Sequence, residues 1–320
     1  MKRCAAVLVL LLSSASLAKP NTGAEASKVL DQFLSGQMPL NAAMNRVQYL
    51  GQEAFVTHEL ALAFKRTGEP RQRAAILEFI AALAVPDEDV ERLLLRLLKS
   101  DDTGEVMSAA RGLGKMKCDD AVKPLIELLE HKMLGIRRES ARALGLIGKP
   151  QASAPLLKAA KVEQDLELKV LLIASAGKAG DKKQAPALEA LLADSSESTR
   201  LAAGQALCAL GAPKCAQFAQ KLLASADRNE RFQAVMLFEG SSSKVSSATL
   251  MPLLKDGDDK LRARAARILV QGGDAKRLEW LVLESAKAKG EARLVYEDEL
   301  ERLRLSDEQR QAILKKAGLQ

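Results

Sequence analysis

The sequence predicts an all-α protein, an α-solenoid of stacked antiparallel helix pairs with about 31 residues per repeat. Three observations predict it. Leucine and alanine, both strong helix formers, dominate a 320-residue chain in which aromatic residues make up only 3%, sparse for a β-sandwich or barrel. A block recurs with starts at Glu105, Ile136, Leu168, Thr199, Glu230 and Leu261, each 31 or 32 residues after the last. Each block has the same order: a helix with small residues at its centre, a glycine, and a second helix striped with leucine.

The elements follow in chain order. Residues 1–18 read as a signal peptide: MKR is basic, CAAVLVLLL apolar, and SSASLA ends with Ser16 and Ala18 at the −3 and −1 positions of a cleavage site. The apolar run is shorter than a bilayer span. Cys4 precedes that run, the wrong place for a lipid-bearing cysteine. The mature protein is therefore expected to be periplasmic or secreted, with no membrane span. Losing Lys2 and Arg3 takes the formal charge from +7 to +5.

Residues 19–68 are expected to form an N-terminal cap of three helices, around ASKVLDQFL, LNAAMNRVQYL and QEAFVTHELALAFKR. The array is expected over 69–289, with 69–102 as a degenerate first unit. Small residues such as Ala109, Ala141, Ala203 and Ala206 centre the first helices. Gly114, Gly148, Gly180, Gly211, Gly240 and Gly272 are expected to end them, because glycine suits the left-handed position after a helix. Second helices carry Leu125, Leu128 and Leu129, or Leu188, Leu191 and Leu192, at the spacing of an apolar stripe. Pro124, Pro155, Pro186 and Pro213 lie near their starts, where a missing N–H matters least. One pair cannot bury its stripe alone, so neighbours must stack. Residues 290–320 become strongly charged, as in EDELERLRLSDEQR, and read as a C-terminal cap facing water.

A basic residue keeps the phase of the repeat: Arg137, Lys169, Arg200, Arg231, Arg262 and Arg293. Asp165, Asp227 and Asp258 each stand four residues before one of them. A row of positive charge for an anionic ligand would fit. A structural ladder fits better, with each Asp capping a helix and pairing with the basic residue, because the phase is locked to the repeat.

Cys208 and Cys215 flank the turn at Gly211 and Pro213. In an oxidising compartment a disulfide across that turn is open to them, as are two separate buried thiols, since packed helices exceed disulfide reach away from the turn. Cys118 follows Gly114 as Cys215 follows Gly211, which suggests a structural slot. No metal site is expected. The two histidines, His58 and His131, are far apart, and neither Cys-x-x-Cys nor His-Glu-x-x-His occurs. Ser241-Ser-Ser-Lys244 matches Ser-x-x-Lys but falls in a turn without the accompanying motifs of that chemistry. Gly-Lys at 114–115 and 148–149 lacks the rest of a phosphate loop. Trp280 falls on a second helix and reads as core.

The grammar of IRRESARALGLIG and LRARAARILVQGG, followed by helices such as AVKPLIELL, resembles the HEAT-repeat family, and more closely its short bacterial form found in phycobilisome lyases. The resemblance covers 103–289 well and extends to 69–102. It implies an ARM-type right-handed superhelix with second helices lining the inner face. It is specific for architecture and poor for function. The metal hydroxylases of that family use several His-Glu pairs, and this chain has one, His58–Glu59.

The expected function is an exported, non-catalytic scaffold without a cofactor, binding a protein or peptide partner on its concave face. Lys123, Glu127, Lys158 and Glu189, with Gln220, Lys221 and Glu279, are the expected partner-facing positions. Interleaved charge and few aromatics argue against a nucleic-acid surface. Two alternatives are a tetrapyrrole lyase-like chaperone, for which only Cys118 and His131 offer chemistry, and a nucleic-acid-binding protein if the leader is not one.

Overall fold

A computed structural model describes residues 22–239 and 247–318. The leader, Gly240 and the Ser241–Lys244 motif lie outside the described residues. Among those described, every regular element is helical. The chain divides after Met116 into two compact units.

The first unit holds α1 (Thr22–Leu34), α2 (Leu40–Leu50), α3 (Glu53–Arg66), α4 (Pro70–Leu83), α5 (Glu88–Leu97) and α6 (Thr103–Met116). Its first three helices sit where the sequence places them. Phe33 meets Phe79 edge-on at 4.8 Å between ring centroids, joining α1 to α4. Asp87 caps α5, its carboxylate accepting the amides of Asp89 and Val90. Gly114 does not end α6. It is buried inside the helix, which runs on to Met116, and Lys117 takes the left-handed conformation instead (φ 57°).

The second unit holds α7 (Val122–Glu127), α8 (Leu134–Ile147), α9 (Ser153–Val162), α10 (Leu166–Ala179), α11 (Ala185–Leu191), α12 (Glu197–Ala209), α13 (Pro213–Leu223), α14 (Arg228–Met236), α15 (Ser247–Leu250), α16 (Asp259–Gln271), α17 (Ala275–Lys287), α18 (Glu291–Glu301) and α19 (Asp307–Lys316). Gly148 and Gly180 cap their helices in the left-handed region. At the later turn that role falls to Gly273 (φ 97°) and not to Gly272 (φ −76°).

Small residues matter most between successive first helices. A Cβ on Gly145 would lie 2.7 Å from Ser175 Oγ, and one on Gly177 2.6 Å from the Ala206 Cβ. No side chain fits at either crossing without moving α8, α10 or α12 apart. Behind them Leu144, Leu156, Leu172, Leu188 and Leu207 are fully buried or nearly so, each contributing about 1.5–3 kcal/mol.

The far end is built differently. Arg267 and Glu299 are 4% and 5% exposed and hydrogen-bonded to each other. Glu239 and Gln271 also accept from Arg267, and Arg264 reaches Glu299 at 3.2 Å. Tyr296, buried beneath Trp280, closes this core, and Ser306 and Gln309 form a reciprocal capping box on α19.

Candidate functional site

The periodic basic residues Arg137, Lys169, Arg200, Arg231, Arg262 and Arg293 mark the junctions between successive units. From Arg137 to Arg262 each stands in the first turns of a first helix, six residues after a hydrogen-bond-accepting side chain in the preceding loop; at Arg293 that place is taken by Lys287, the last residue of α17. That loop side chain accepts the amide two residues further on. Thr67, Ser100, His131, Glu163, Asp194, Ser225 and Asp256 all do so, at 2.9 to 3.2 Å. Acceptors of different length and charge meet this local need, which explains why the position varies.

The arginines tie the loop from above. Arg137 Nη1 donates to the carbonyls of His131 and Lys132 (3.0 and 3.2 Å). Arg200 does the same to Asp194 and Ser195 (2.8 and 2.9 Å), and Arg231 to Ser225 and Ala226 (3.2 and 2.9 Å). Two loop carbonyls left without helical partners are thereby satisfied.

The remaining edge of the guanidinium faces the next unit. Arg137 binds Glu163 through Nε (2.9 Å) and Nη2 (3.2 Å). Arg231 binds Asp256 the same way (2.8 and 3.4 Å), and Lys169 Nζ meets Asp194 at 2.9 Å. Each acid is also the loop acceptor described above, so one carboxylate holds its own turn and clamps the preceding unit. In the first unit Arg73 finds Glu105 instead (2.6 Å), with Ser100 Oγ donating to the same carboxylate.

Burial pushes the Glu163 carboxyl up, but the Arg137 guanidinium and the amides of Asp165 and Gln164 outweigh it and hold the group below its ordinary range. The Lys169 ammonium and the Ser196 amide hold Asp194 down against a smaller effect of burial.

The expected pairing was different. Asp165, Asp227 and Asp258 do cap their helices. They do not pair with Lys169, Arg231 and Arg262 of the same turn; the partners of the first two come from the next unit. Asp165 and Asp258 instead meet Arg138 (3.6 Å) and Arg228. The ladder also lapses at its end. Arg262 bonds the Tyr296 hydroxyl at 3.0 Å and Asp259 of its own turn, and Arg293 is exposed, with Glu297 at 3.8 Å its one ion-pair partner among the described residues.

Two open clefts flank rungs of this ladder. One, of about 940 Å³, lies around Arg137 and is lined by α7 and α9 and the loops after them. The other, of about 840 Å³, lies around Arg200 and includes Leu192, Phe218, Lys221, Leu222, Ser225 and Phe232. The Arg137 rung is closed by Glu163. At Arg200 the matching loop residue is Ser225, which makes its turn but is too short and uncharged to reach back. Among the described residues no carboxylate lies within ion-pair distance of Arg200.

Of the expected partner-facing residues, Lys123, Glu127, Lys158, Gln220 and Lys221 are exposed, and Glu189 is half-buried. Glu279 differs: it is half-buried and meets Lys316 of α19 at 3.6 Å, so the C-terminal helix covers it. Cys208 and Cys215 are joined by a disulfide with Cα atoms 4.9 Å apart, which their position at the turn allows. Cys118 is a buried thiol outside any disulfide. His131 accepts the Met133 amide through Nδ1. The fold brings His58 beside Asp87 and Asp89, with ligand atoms within 4.8 Å of one another. Asp87 is the cap of α5 and Asp89 is paired with Arg92, so both acids already have structural work; no sequence spacing points to this grouping.

The family model for HEAT repeats matches residues 90–174. Among solved structures, the chain is similar to the CpcE–CpcF complex of phycocyanin lyase from Nostoc sp. PCC7120, at 17% identity over 77% of this chain and 94% of that one, with a TM-score of 0.51. An engineered protein aligns at 20% identity over 88% and 85% of the two chains (TM-score 0.42). Human deoxyhypusine hydroxylase in complex with glycerol aligns at 18% over 78% and 97% (TM-score 0.35). No curated protein matches the chain in sequence. No helix among the described residues is long and apolar enough to cross a membrane. Residues 90–174 match the HEAT-repeat model, and among the described residues the fold is all-α, a HEAT-like solenoid of stacked helix pairs.

Proposed function

We propose that the protein is an exported, non-catalytic scaffold that binds a protein or peptide partner along its second helices. The observation that carries this reading is the pair of clefts at Arg137 and Arg200, each built from consecutive units and open to water. Exposed Lys158 lies in the first and exposed Lys221 in the second. Repeat stacking supplies such a surface without moving parts, and clefts that combine apolar walls with a few charged groups suit peptide recognition. The leader-like sequence of residues 1–18 supports the exported part of the reading.

Site-specific photo-crosslinking in the native cell tests the reading. A crosslinker at position 158 or 221 is expected to trap a discrete partner, and one at exposed Arg142 on α8 is not. Equal trapping at all three positions, or none at any, contradicts it.

A further inference from the structure

The Arg200 cleft differs from its neighbours in one respect that has a chemical meaning. Arg137 and Arg231 each present the Nε–Nη2 edge of the guanidinium to a carboxylate supplied by the next unit. Arg200 holds the same Nη1 bonds to its loop carbonyls, so its fork is fixed by the same staple. Its Nε and Nη2 meet no acceptor among the described residues, because Ser225 replaces the acid. A guanidinium fork oriented in advance is a preferred receptor for one planar carboxylate.

The walls agree with that reading. Phe218 and Phe232, both half-buried, and exposed Lys221 line the same space. The acids there are Glu197, Asp227 and Glu230. Glu197 accepts from the Gln233 amide, and Asp227 caps α14. Glu230 is exposed at the rim, outside ion-pair reach of Arg200.

We propose that the open rung at Arg200 is the receptor for an aspartate or glutamate side chain of the partner peptide, with the two phenylalanines taking an apolar side chain beside it. The carboxylate completes the ladder in trans, standing where Glu163 and Asp256 stand in cis. This rests on the scaffold reading above and names the partner's chemistry.

Two variants of the full chain make the test. Ser225→Asp supplies the missing acid internally, and Ser225→Ala removes only the hydroxyl. Peptides selected from a random displayed library by the wild-type protein are expected to share an acidic residue next to an aromatic or aliphatic one. Their affinity should fall at least tenfold for Ser225→Asp and for peptides with that acid changed to its amide. It should fall by less than threefold for Ser225→Ala, which adds no charge at the fork. Circular dichroism should show Ser225→Asp folded as wild type, so that lost binding reports an occupied fork. Selected peptides without an acid, or equal binding by Ser225→Asp, overturn the site. So does dependence on a free C-terminal carboxylate alone, or no selected peptide. In all these cases the scaffold reading is judged separately, by the crosslinks at 158 and 221.

Discussion

The Arg137 and Arg200 clefts occupy equivalent places two repeats apart, yet one is finished and the other is not. At Arg137 the guanidinium divides its donors between two loop carbonyls and the Glu163 carboxylate. At Arg200 the carbonyl half is intact and the carboxylate half is missing. The difference lies in the loop residue, glutamate in one and serine in the other. Both satisfy the turn, since Glu163 and Ser225 each accept the amide two residues on. Only the longer acid also spans to the preceding unit. A position under one local constraint can therefore vary without loss of fold while changing what the surface can bind.

Breaking what both clefts share should have the largest effect. Ala206 is 2% exposed and packs on Gly177. Ala206→Glu should cost about 4 kcal/mol or more, from overpacking and an unpaired buried charge, read by urea denaturation. Opening the closed rung comes next. Glu163→Gln should cost about 2 kcal/mol, the worth of hydrogen bonds to a charged group, whereas Ser225→Ala, which loses only the neutral bond to the Asp227 amide, should cost about 1 kcal/mol or less. Equal losses at the two sites would remove the distinction between them.

The turn before the Arg200 cleft carries the Cys208–Cys215 bridge, which closes only a short loop. Replacing both cysteines with serine should cost about 2 kcal/mol by the loop-entropy relation, and reduction of the wild type should give a similar loss.

Acid separates the two rungs as well. Glu163 and Asp194 are held below their ordinary ranges in the fold, so the stability they add is complete above the unfolded carboxylate range near pH ~4. It is lost as pH falls through the lower folded values. Stability measured between neutral pH and pH ~3 should fall less steeply in Glu163→Gln than in wild type. The slope should be unchanged in Ser225→Ala.

Much of this was legible in the sequence. The period, the helix pairs and the register of Arg137, Lys169, Arg200 and Arg231 all follow from spacing, as do the caps at Asp165, Asp227 and Asp258. Local rules govern those features, and local rules are written in adjacent letters. The partners of the basic residues were not legible in the same way. Glu163 lies 26 residues beyond Arg137, and Asp256 25 beyond Arg231; only stacking brings them together. The nearer acids, four residues before, looked like partners and are caps. Gly114 and Gly272 misled for a related reason: a glycine in a helix can serve a close crossing or lie beside the residue that makes the turn. The buried Arg267–Glu299 pair carries no signal in hydropathy, because two charges that bury each other read as surface.

Arg200 is a ladder arginine that lacks the acid of the next unit. A double-mutant cycle on folding stability between Arg200→Gln and Ser225→Asp tests it most directly. Ser225→Asp should stabilise the Arg200 protein by about 0.5–1 kcal/mol and give no gain in the Arg200→Gln background. Additive effects, or a destabilising aspartate next to an intact Arg200, would contradict it.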